Sequence, residues 1–272
     1  MTQRSDQTEQ HFFDIAAEAG LTKHFGGIEA TDELVELCRI GEDSCVLDVG
    51  YGVGQTPCYI AKKYGCRVVG VDINEGMIER SRETAERERV SDKTEFRVAD
   101  AQNLPFMDET FDAVITESVT VFPEDKRKAV REYARVTKPG GCVGLNEAAW
   151  LKTPPPPEII EWASQDLGAC VKPLTPDEWV GLMEDAGLTD IVVNVREVRP
   201  RREAKGLVRR YGYLGILRSL FRALSLYLRS PAYRRFVKEV QKEGITPDNL
   251  EDYLGYGLFV GRKEQGDALG GL

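Results

Sequence analysis

The sequence lacks any apolar run long enough to cross a membrane, and it lacks the paired-cysteine spacing of a metal site. A membrane-spanning helix needs about 20 consecutive apolar residues, and the apolar runs here are much shorter. The segment Met1–Gln10 is polar and contains no signal-peptide core, so we expect a cytoplasmic protein. The six cysteines show no Cys-x-x-Cys spacing. We therefore expect buried free thiols and no metal.

Basic residues outnumber acidic ones in one long segment, although the chain as a whole is acidic. The 272 residues carry a net charge of −9, yet residues 196–242 contain 14 Lys and Arg against three Glu. The acidic remainder and the absence of a recognition motif lead us to expect no nucleic-acid partner. The length favours one α/β core with an added cap.

A glycine-rich turn follows the first predicted strand. Cys45–Val49 is a short β-branched run typical of a buried parallel strand. Gly50, Gly52 and Gly54 then allow a sharp turn that brings bare backbone against a ligand. Apolar spacing predicts a helix over 56–64. Strand, glycine turn and helix in this order indicate a nucleotide-like cofactor site.

The second predicted strand, 67–72, ends in Asp72, a carboxylate that can accept hydrogen bonds from both ribose hydroxyls. A dinucleotide fingerprint requires glycine where this chain has Gln55, and it usually has an apolar residue where this chain has Asp48. A carboxylate at Asp48 can reach toward a cationic methionine group. These two differences favour S-adenosylmethionine over a nicotinamide dinucleotide.

Acidic residues stand at the ends of four predicted strands, which include 94–99 and 111–116. These acids are Asp48, Asp72, Asp100 and Glu117. Ligands of open α/β sheets bind outside the carboxyl ends of the strands. At Asp100 a carboxylate can accept from the adenine amine while a backbone amide donates to a ring nitrogen.

Several segments resemble a known family in sequence and in order: 46–54, Asp72, 98–106, 111–118 and 135–141. They resemble class I S-adenosylmethionine-dependent methyltransferases, and most of all the ubiquinone and menaquinone biosynthesis C-methyltransferases. The resemblance implies a Rossmann-like doubly wound α/β sheet, mostly parallel with an antiparallel last strand, plus a helical cap. It also implies S-adenosylmethionine as cofactor. The expected cofactor contacts are Asp48, Gly50, Tyr51, Gly52, Gly54, Asp72, Ile73, Asp100, Ala101 and Glu117.

Two residues are candidate catalytic bases. Glu147 follows the fifth strand, whose end faces the transferred methyl group in this fold, and His24 lies in the expected cover. The acceptor implied by the resemblance is small and apolar, such as a lipid or quinone-like compound. Two alternatives stay open: a non-catalytic S-adenosylmethionine-binding protein, and a methyltransferase for another small molecule, for example arsenite held by cysteines or an amine.

The predicted division has three parts: a helical cover over 1–40, a core over 41–195 and 255–263, and a basic helical insertion over 196–254. Within the core, Thr175 and Glu178 form a capping-box pattern. In the insertion an apolar stripe recurs at helical spacing: Leu207, Tyr211, Leu214, Leu217, Phe221, Leu224 and Leu228.

Three interpretations of the basic helix remain open. We favour a cap that buries its apolar stripe on the enzyme. The basic face can instead bind an anionic substrate or an acidic partner. As a third interpretation, residues 206–242 make peripheral contact with an anionic membrane.

Overall fold

A seven-stranded sheet forms the centre of the computed structural model, which describes residues 14, 17–166, 171–198, 200–231, 233–234, 237, 247 and 249–265. The strand order is β3-β2-β1-β4-β5-β7-β6. Neighbouring strands pair in parallel except β7, which is antiparallel to both β5 and β6. The predicted Rossmann-like sheet with an antiparallel last strand is confirmed.

The elements alternate along the chain as expected for a doubly wound sheet. The strands are β1 (Cys45–Val49), β2 (Arg67–Asp72), β3 (Thr94–Val98), β4 (Phe111–Glu117), β5 (Thr137–Trp150), β6 (Leu188–Glu197) and β7 (Leu254–Lys263). The described helices are α1 (Gly27–Leu37), α2 (Gln55–Tyr64), α3 (Glu75–Glu88), α4 (Lys126–Val136), α5 (Pro157–Asp166), α6 (Pro176–Asp185), α7 (Pro200–Arg229) and α8 (Leu250–Tyr253).

Alternation along the strands divides the core into two layers. Val46 and Ile115 pack with α1, α2 and α3 on one face, whereas Leu47 and Val114 pack with α4 and α6 on the other. Successive side chains of a strand point to opposite faces. The polar side chains at the strand ends therefore also face one layer or the other.

Two flanking helices begin at residues with special backbone angles. Helix α1 begins at Gly27, directly after Gly26, which adopts φ 73° and turns the chain there. Helix α5 begins at Pro157, the last of four consecutive prolines. Proline is favourable at the first position of a helix.

The insertion contains a helix that is interrupted once. Gly212 has φ 64° and ψ 167°, which breaks α7 into segments 200–211 and 213–229. The apolar stripe changes face at this break: Tyr211 packs on the core, but Leu217 and Phe221 are 60% and 74% exposed. The expectation of a cap that buries the whole stripe is therefore wrong. Among the described helices, none is long and apolar enough to cross a membrane.

Thr175 at the start of α6 provides a direct test of the capping box. Its hydroxyl accepts from the Glu178 amide at 3.2 Å, and the Glu178 carboxylate accepts from the Thr175 amide at 2.7 Å. We expect Thr175→Ala to lower the free energy of unfolding by about 1 kcal/mol, because an N-terminal amide of the helix loses its acceptor. Urea unfolding measures the change. Thr175→Ser is the matched control, and equal destabilisation by both substitutions would contradict the assignment.

Candidate active site at the carboxyl end of the sheet

The glycine turn between β1 and α2 is enclosed from two sides. Gly50, Gly52 and Gly54 have φ values of 75°, 57° and 78°, a region that side chains disfavour. A Cβ at Gly50 would overlap the side chain of Val119, and one at Gly52 would lie 2.9 Å from Thr22. The loop after β4 and the segment before α1 therefore both approach the turn. Only glycine permits this approach.

Asp72 is held by backbone amides at the end of β2. Gly52 N donates to Oδ2 at 2.9 Å, and Asn74 N donates to Oδ1 at 2.9 Å. Burial raises the pKa of Asp72, and these amides oppose the rise. Each oxygen retains a lone pair for a ligand hydroxyl. The adjacent Ile73 is 66% exposed, so an apolar surface lies beside the carboxylate.

Asp100 follows β3 and organises the next loop. Its Oδ1 accepts from the Gln102 amide at 2.8 Å. Ala101, between these two residues, is partly exposed. The end of β3 therefore presents a carboxylate beside a short side chain.

Glu117 is the centre of a buried polar cluster at the end of β4. It accepts from the Thr56 hydroxyl at 2.8 Å and from the Thr31 hydroxyl at 3.0 Å. His24 Nε2 lies 3.3 Å from its Oε2, and Asn146 Nδ2 lies 3.3 Å from its Oε1. Side chains from α1, α2, β5 and the segment before α1 thus converge on one carboxylate, which is 8% exposed.

His24 is neutral near pH 7 in this cluster. Burial, opposed by Glu117 and assisted by the nearby Arg210, lowers its pKa to about 4. Its Nδ1 lies 3.1 Å from the Phe25 carbonyl oxygen. A neutral imidazole beside a buried carboxylate can accept a proton, because the carboxylate stabilises the imidazolium that forms.

Asp48 and Arg210 bring unpartnered polar atoms of opposite charge to the same region. Arg210, on the first segment of α7, donates to the Thr56 hydroxyl at 3.1 Å. Its Nε and Oδ2 of Asp48 are buried and have no hydrogen-bond partner within the described part of the chain. Burial raises the pKa of Asp48 well above its ordinary value, Glu117 raises it further, and Arg210 opposes both. Buried atoms of this kind normally have partners.

Tyr211 attaches the insertion to the cover of the glycine turn. Its hydroxyl donates to the Thr22 carbonyl at 2.7 Å and accepts from the Thr22 amide at 2.8 Å. Because Thr22 lies over Gly52, α7 holds the segment that closes the turn.

Tyr51 occupies a different place from that expected of a cofactor-contacting side chain. Its ring lies against Gly70 of β2 and 5.0 Å from the Phe96 ring, centroid to centroid. The residue is 3% exposed. Only its backbone is available to the cleft, because the ring is buried in the layer of α1, α2 and α3.

The expected role of Glu147 as a base is wrong, because the residue faces away from the cluster around Glu117. Strand alternation places Asn146, not Glu147, beside His24 and Glu117. Glu147 is fully buried, and its Oε1 accepts from the amides of Val119 and Thr120 at 3.0 and 2.7 Å. Burial raises its pKa to about 7. Its contacts identify a positioning residue for the loop after β4.

The described cysteines do not gather at the glycine turn, where an arsenite substrate would have to lie. Cys45 begins β1, Cys66 directly precedes β2, and Cys142 pairs with Ala113 near the beginning of β4, where its thiol contacts that of Cys38. This edge of the sheet is opposite to the glycine turn. Cys38 and Cys58 are buried in the helical layer. Cys170 lies outside the described residues.

Sequence reasoning missed four members of the site: Thr31, Thr56, Asn146 and Arg210. The threonines carry ordinary helical signals, and Arg210 is one of many basic residues in the insertion. The two acids Asp48 and Glu117 were the only signal in the sequence for these partners, because a buried carboxylate requires hydrogen-bond donors or a cation nearby.

Comparison with known proteins identifies the domain. Residues 47–145 match the methyltransferase domain family. An uncharacterised protein of Haemophilus influenzae is 32% identical over 213 residues, which cover 78% of this chain and 84% of that protein. Norajmaline N-methyltransferase of Rauvolfia serpentina is 30% identical over 183 residues. That match covers 64% of this chain and 56% of the relative, so the chain spans about half of that enzyme's length.

Solved structures share the fold at low sequence identity. The [4+2]-cyclase SpnF superposes with a TM-score of 0.72 and 19% identity, covering 95% of this chain and 97% of SpnF. Phosphoethanolamine N-methyltransferase 2 of Haemonchus contortus, solved with phosphomonomethylethanolamine and S-adenosylhomocysteine, gives a TM-score of 0.69 and 20% identity. The superposition covers 95% of this chain and 59% of that enzyme.

Four observations indicate the same family. They are the strand order, the enclosed glycine turn at the end of β1, the acid at the end of β2 and the family match over 47–145. The chain belongs to the class I S-adenosylmethionine-dependent methyltransferases.

Proposed function

We propose that the chain transfers a methyl group from S-adenosylmethionine to a small, largely apolar acceptor, such as a lipid-related or quinone-like compound. The observation that carries the cofactor part of this proposal is the pair of unpartnered buried atoms, Asp48 Oδ2 and Arg210 Nε. The methionine end of the cofactor has an ammonium and a carboxylate group. These match a carboxylate and a guanidinium in charge and in hydrogen-bonding character.

The remaining cofactor contacts follow from the strand ends. Asp72 would accept from the ribose hydroxyls, while Asp100 and the amide of Ala101 would hold the adenine edge. The exposed Ile73 would pack on the adenine ring. Gly50, Gly52 and Gly54 would leave the backbone open to the nucleoside, and Glu117 would hold His24 in place.

The cofactor supplies a methyl group that its sulfonium has already activated. The protein must therefore align the acceptor and exclude water. Thr22 and Val119 enclose the glycine turn, and Tyr211 holds Thr22 in this position. These contacts support a site that is covered during the reaction.

His24 is our candidate for the base that takes a proton from the acceptor. Its low pKa keeps it neutral at physiological pH, and Glu117 lies 3.3 Å from its Nε2. Burial, with a smaller contribution from Arg210, keeps the neutral form dominant. An acceptor that loses a proton on methylation needs such a group.

Aromatic side chains next to this cluster support an apolar acceptor. The rings of Phe25 and Tyr256 stack with centroids 5.9 Å apart, and both pack with Tyr211 in the layer of α1. The similarity to norajmaline N-methyltransferase favours an amine as the second candidate acceptor. Membership of the ubiquinone and menaquinone group, and a cytoplasmic location, stay predictions from the sequence.

The first test concerns the cofactor. Asp72→Ala should weaken binding of S-adenosylmethionine and S-adenosylhomocysteine by about 10- to 100-fold, the equivalent of a lost charged hydrogen bond. Calorimetry measures both ligands. Asp112→Ala is the matched control, because Asp112 also accepts from a backbone amide, that of Cys45 at 2.8 Å, but at the opposite edge of the sheet. Preferential binding of a nicotinamide dinucleotide would refute the cofactor assignment.

The second test concerns the acceptor and the base. After incubation of a cell extract with methyl-labelled cofactor, we expect label in the organic-soluble fraction. Label found only in protein or RNA would exclude the proposed acceptor. Cofactor binding without any transfer would instead indicate a non-catalytic binding protein.

With the labelled acceptor, His24→Asn should lower kcat by about 100-fold or more and leave the affinity for S-adenosylhomocysteine unchanged. Since the pKa of His24 is about 4, the wild-type rate should fall as the pH drops toward 4. The variant should lose this acid limb. A variant that keeps both the rate and the acid limb would show that another group accepts the proton.

Glu147 is expected to affect stability rather than proton transfer. Its pKa is about 7 in the folded chain and about 4.3 in an unfolded chain. The folded state therefore gains stability from the protonated form below pH 4, and this contribution is lost as the pH rises through 7. Relative to wild type, Glu147→Gln should gain about 3.5 kcal/mol between pH 4 and 8 in urea unfolding, since each unit of pKa difference corresponds to about 1.4 kcal/mol. A constant difference would disprove the linkage.

A further inference from the structure

The second segment of α7 presents a continuous apolar band to solvent. Seven of its larger apolar side chains are more than half exposed: Tyr213, Leu214, Leu217, Leu220, Phe221, Leu224 and Leu228. At 3.6 residues per turn these positions, with Tyr227, occupy about 140° of the helix circumference. The segment 213–229 is about 25 Å long. Contiguous exposed apolar surfaces of this kind mark interaction sites.

The opposite face of the same segment is fixed to the body of the protein. The Ser219 hydroxyl donates to the Gly20 carbonyl at 3.3 Å, and Arg222 lies 3.2 Å from Glu83. Gly215 and Ile216 are only partly exposed. Rotation of the helix could therefore bury the apolar band only by breaking these contacts.

Charge next to the band is of one sign. Residues 204–238 contain nine Lys and Arg and no Asp or Glu. Arg218 and Arg229 are exposed beside the band, and within the described residues neither forms an ion pair, whereas Arg222 does. The rest of the chain outside 196–242 has a net charge of −20, so this face differs sharply from its surroundings.

We propose that the outer face of α7, residues 213–229, docks on an anionic lipid surface with the helix lying in the plane of the membrane. The apolar band would enter the interface, and Arg218 and Arg229 would contact anionic headgroups beside it. A second copy fits less well, because a symmetric helix pair would bring these arginines together without acids between them. Nucleic acid fits less well because the face is mainly apolar.

The docking face is directly connected with the candidate active site. Across the break at Gly212, Arg210 reaches Thr56 and Tyr211 holds Thr22. Docking on lipid would therefore bring the proposed site next to a surface that dissolves apolar acceptors. Only this consequence depends on the proposed function; the docking itself does not.

Co-sedimentation of the full chain with vesicles, in the absence of cofactor, tests the proposal. We expect binding to phosphatidylcholine vesicles that contain about one third phosphatidylserine, and binding at least about tenfold weaker to phosphatidylcholine alone. Raising the salt from about 0.05 M to about 0.5 M should weaken the binding, because it shortens the screening length. Absence of binding to anionic vesicles, or equal binding to both, would overturn the proposal.

Two pairs of matched variants locate the surface. Leu217→Ser with Phe221→Ser should reduce anionic-vesicle binding about tenfold, whereas Met107→Ser with Val192→Ser, exposed apolar positions elsewhere, should not. Arg218→Glu with Arg229→Glu should likewise reduce binding, whereas Arg82→Glu with Arg131→Glu, an equal change of charge at exposed positions, should leave most of it. Equal losses in test and control pairs would refute the assignment.

Two further measurements distinguish the remaining outcomes. Phe221→Trp leaves the band apolar, and its added fluorescence should be quenched by brominated lipid in anionic vesicles. Lack of quenching in a variant that sediments with the vesicles would place the contact elsewhere. A wild-type dimer that Leu217→Ser with Phe221→Ser converts to a monomer, without vesicle binding by either, would identify the face as an interface between copies.

Discussion

The buried carboxylate of Glu117 is the constraint on which the arrangement of the site depends. A charge at this depth is costly unless donors surround it, and its donors come from separate parts of the chain. Thr31 lies on α1, Thr56 on α2 and Asn146 on β5. Arg210 joins through Thr56. One carboxylate thus ties the cover, the sheet and the insertion together around the glycine turn.

Much of the core could be predicted because its signals are local. β1 and β2 have the bounds that their β-branched runs indicate, and the acids at their ends lie where the alternation and the glycine turn place them. The capping box at Thr175 forms as its spacing predicts. Neighbours in sequence determine all of these features, so a single chain without its structure is enough to recognise them.

The rest depends on contacts between distant residues. The break at Gly212 reverses the apolar stripe of α7, and helical spacing cannot reveal it because one non-helical residue changes the phase of everything after it. Glu147 follows Asn146 by one position, yet it faces the opposite layer and holds the loop after β4. Its role depends on the extension of β5 to Trp150, whereas the sequence analysis placed Glu147 after the end of this strand.

The insertion begins and ends at positions that face each other. Glu197 pairs with Gly255 across the β6–β7 register, so the chain leaves the sheet and returns to it one strand away. The 57 residues between these two positions are inserted at the end of the β6–β7 hairpin. Replacement of this segment would leave the parallel strands intact, but it would remove Arg210 and Tyr211, which contact Thr56 and Thr22 at the cofactor-binding edge. Acceptor recognition and cofactor recognition are therefore linked through one segment in chains built on this plan.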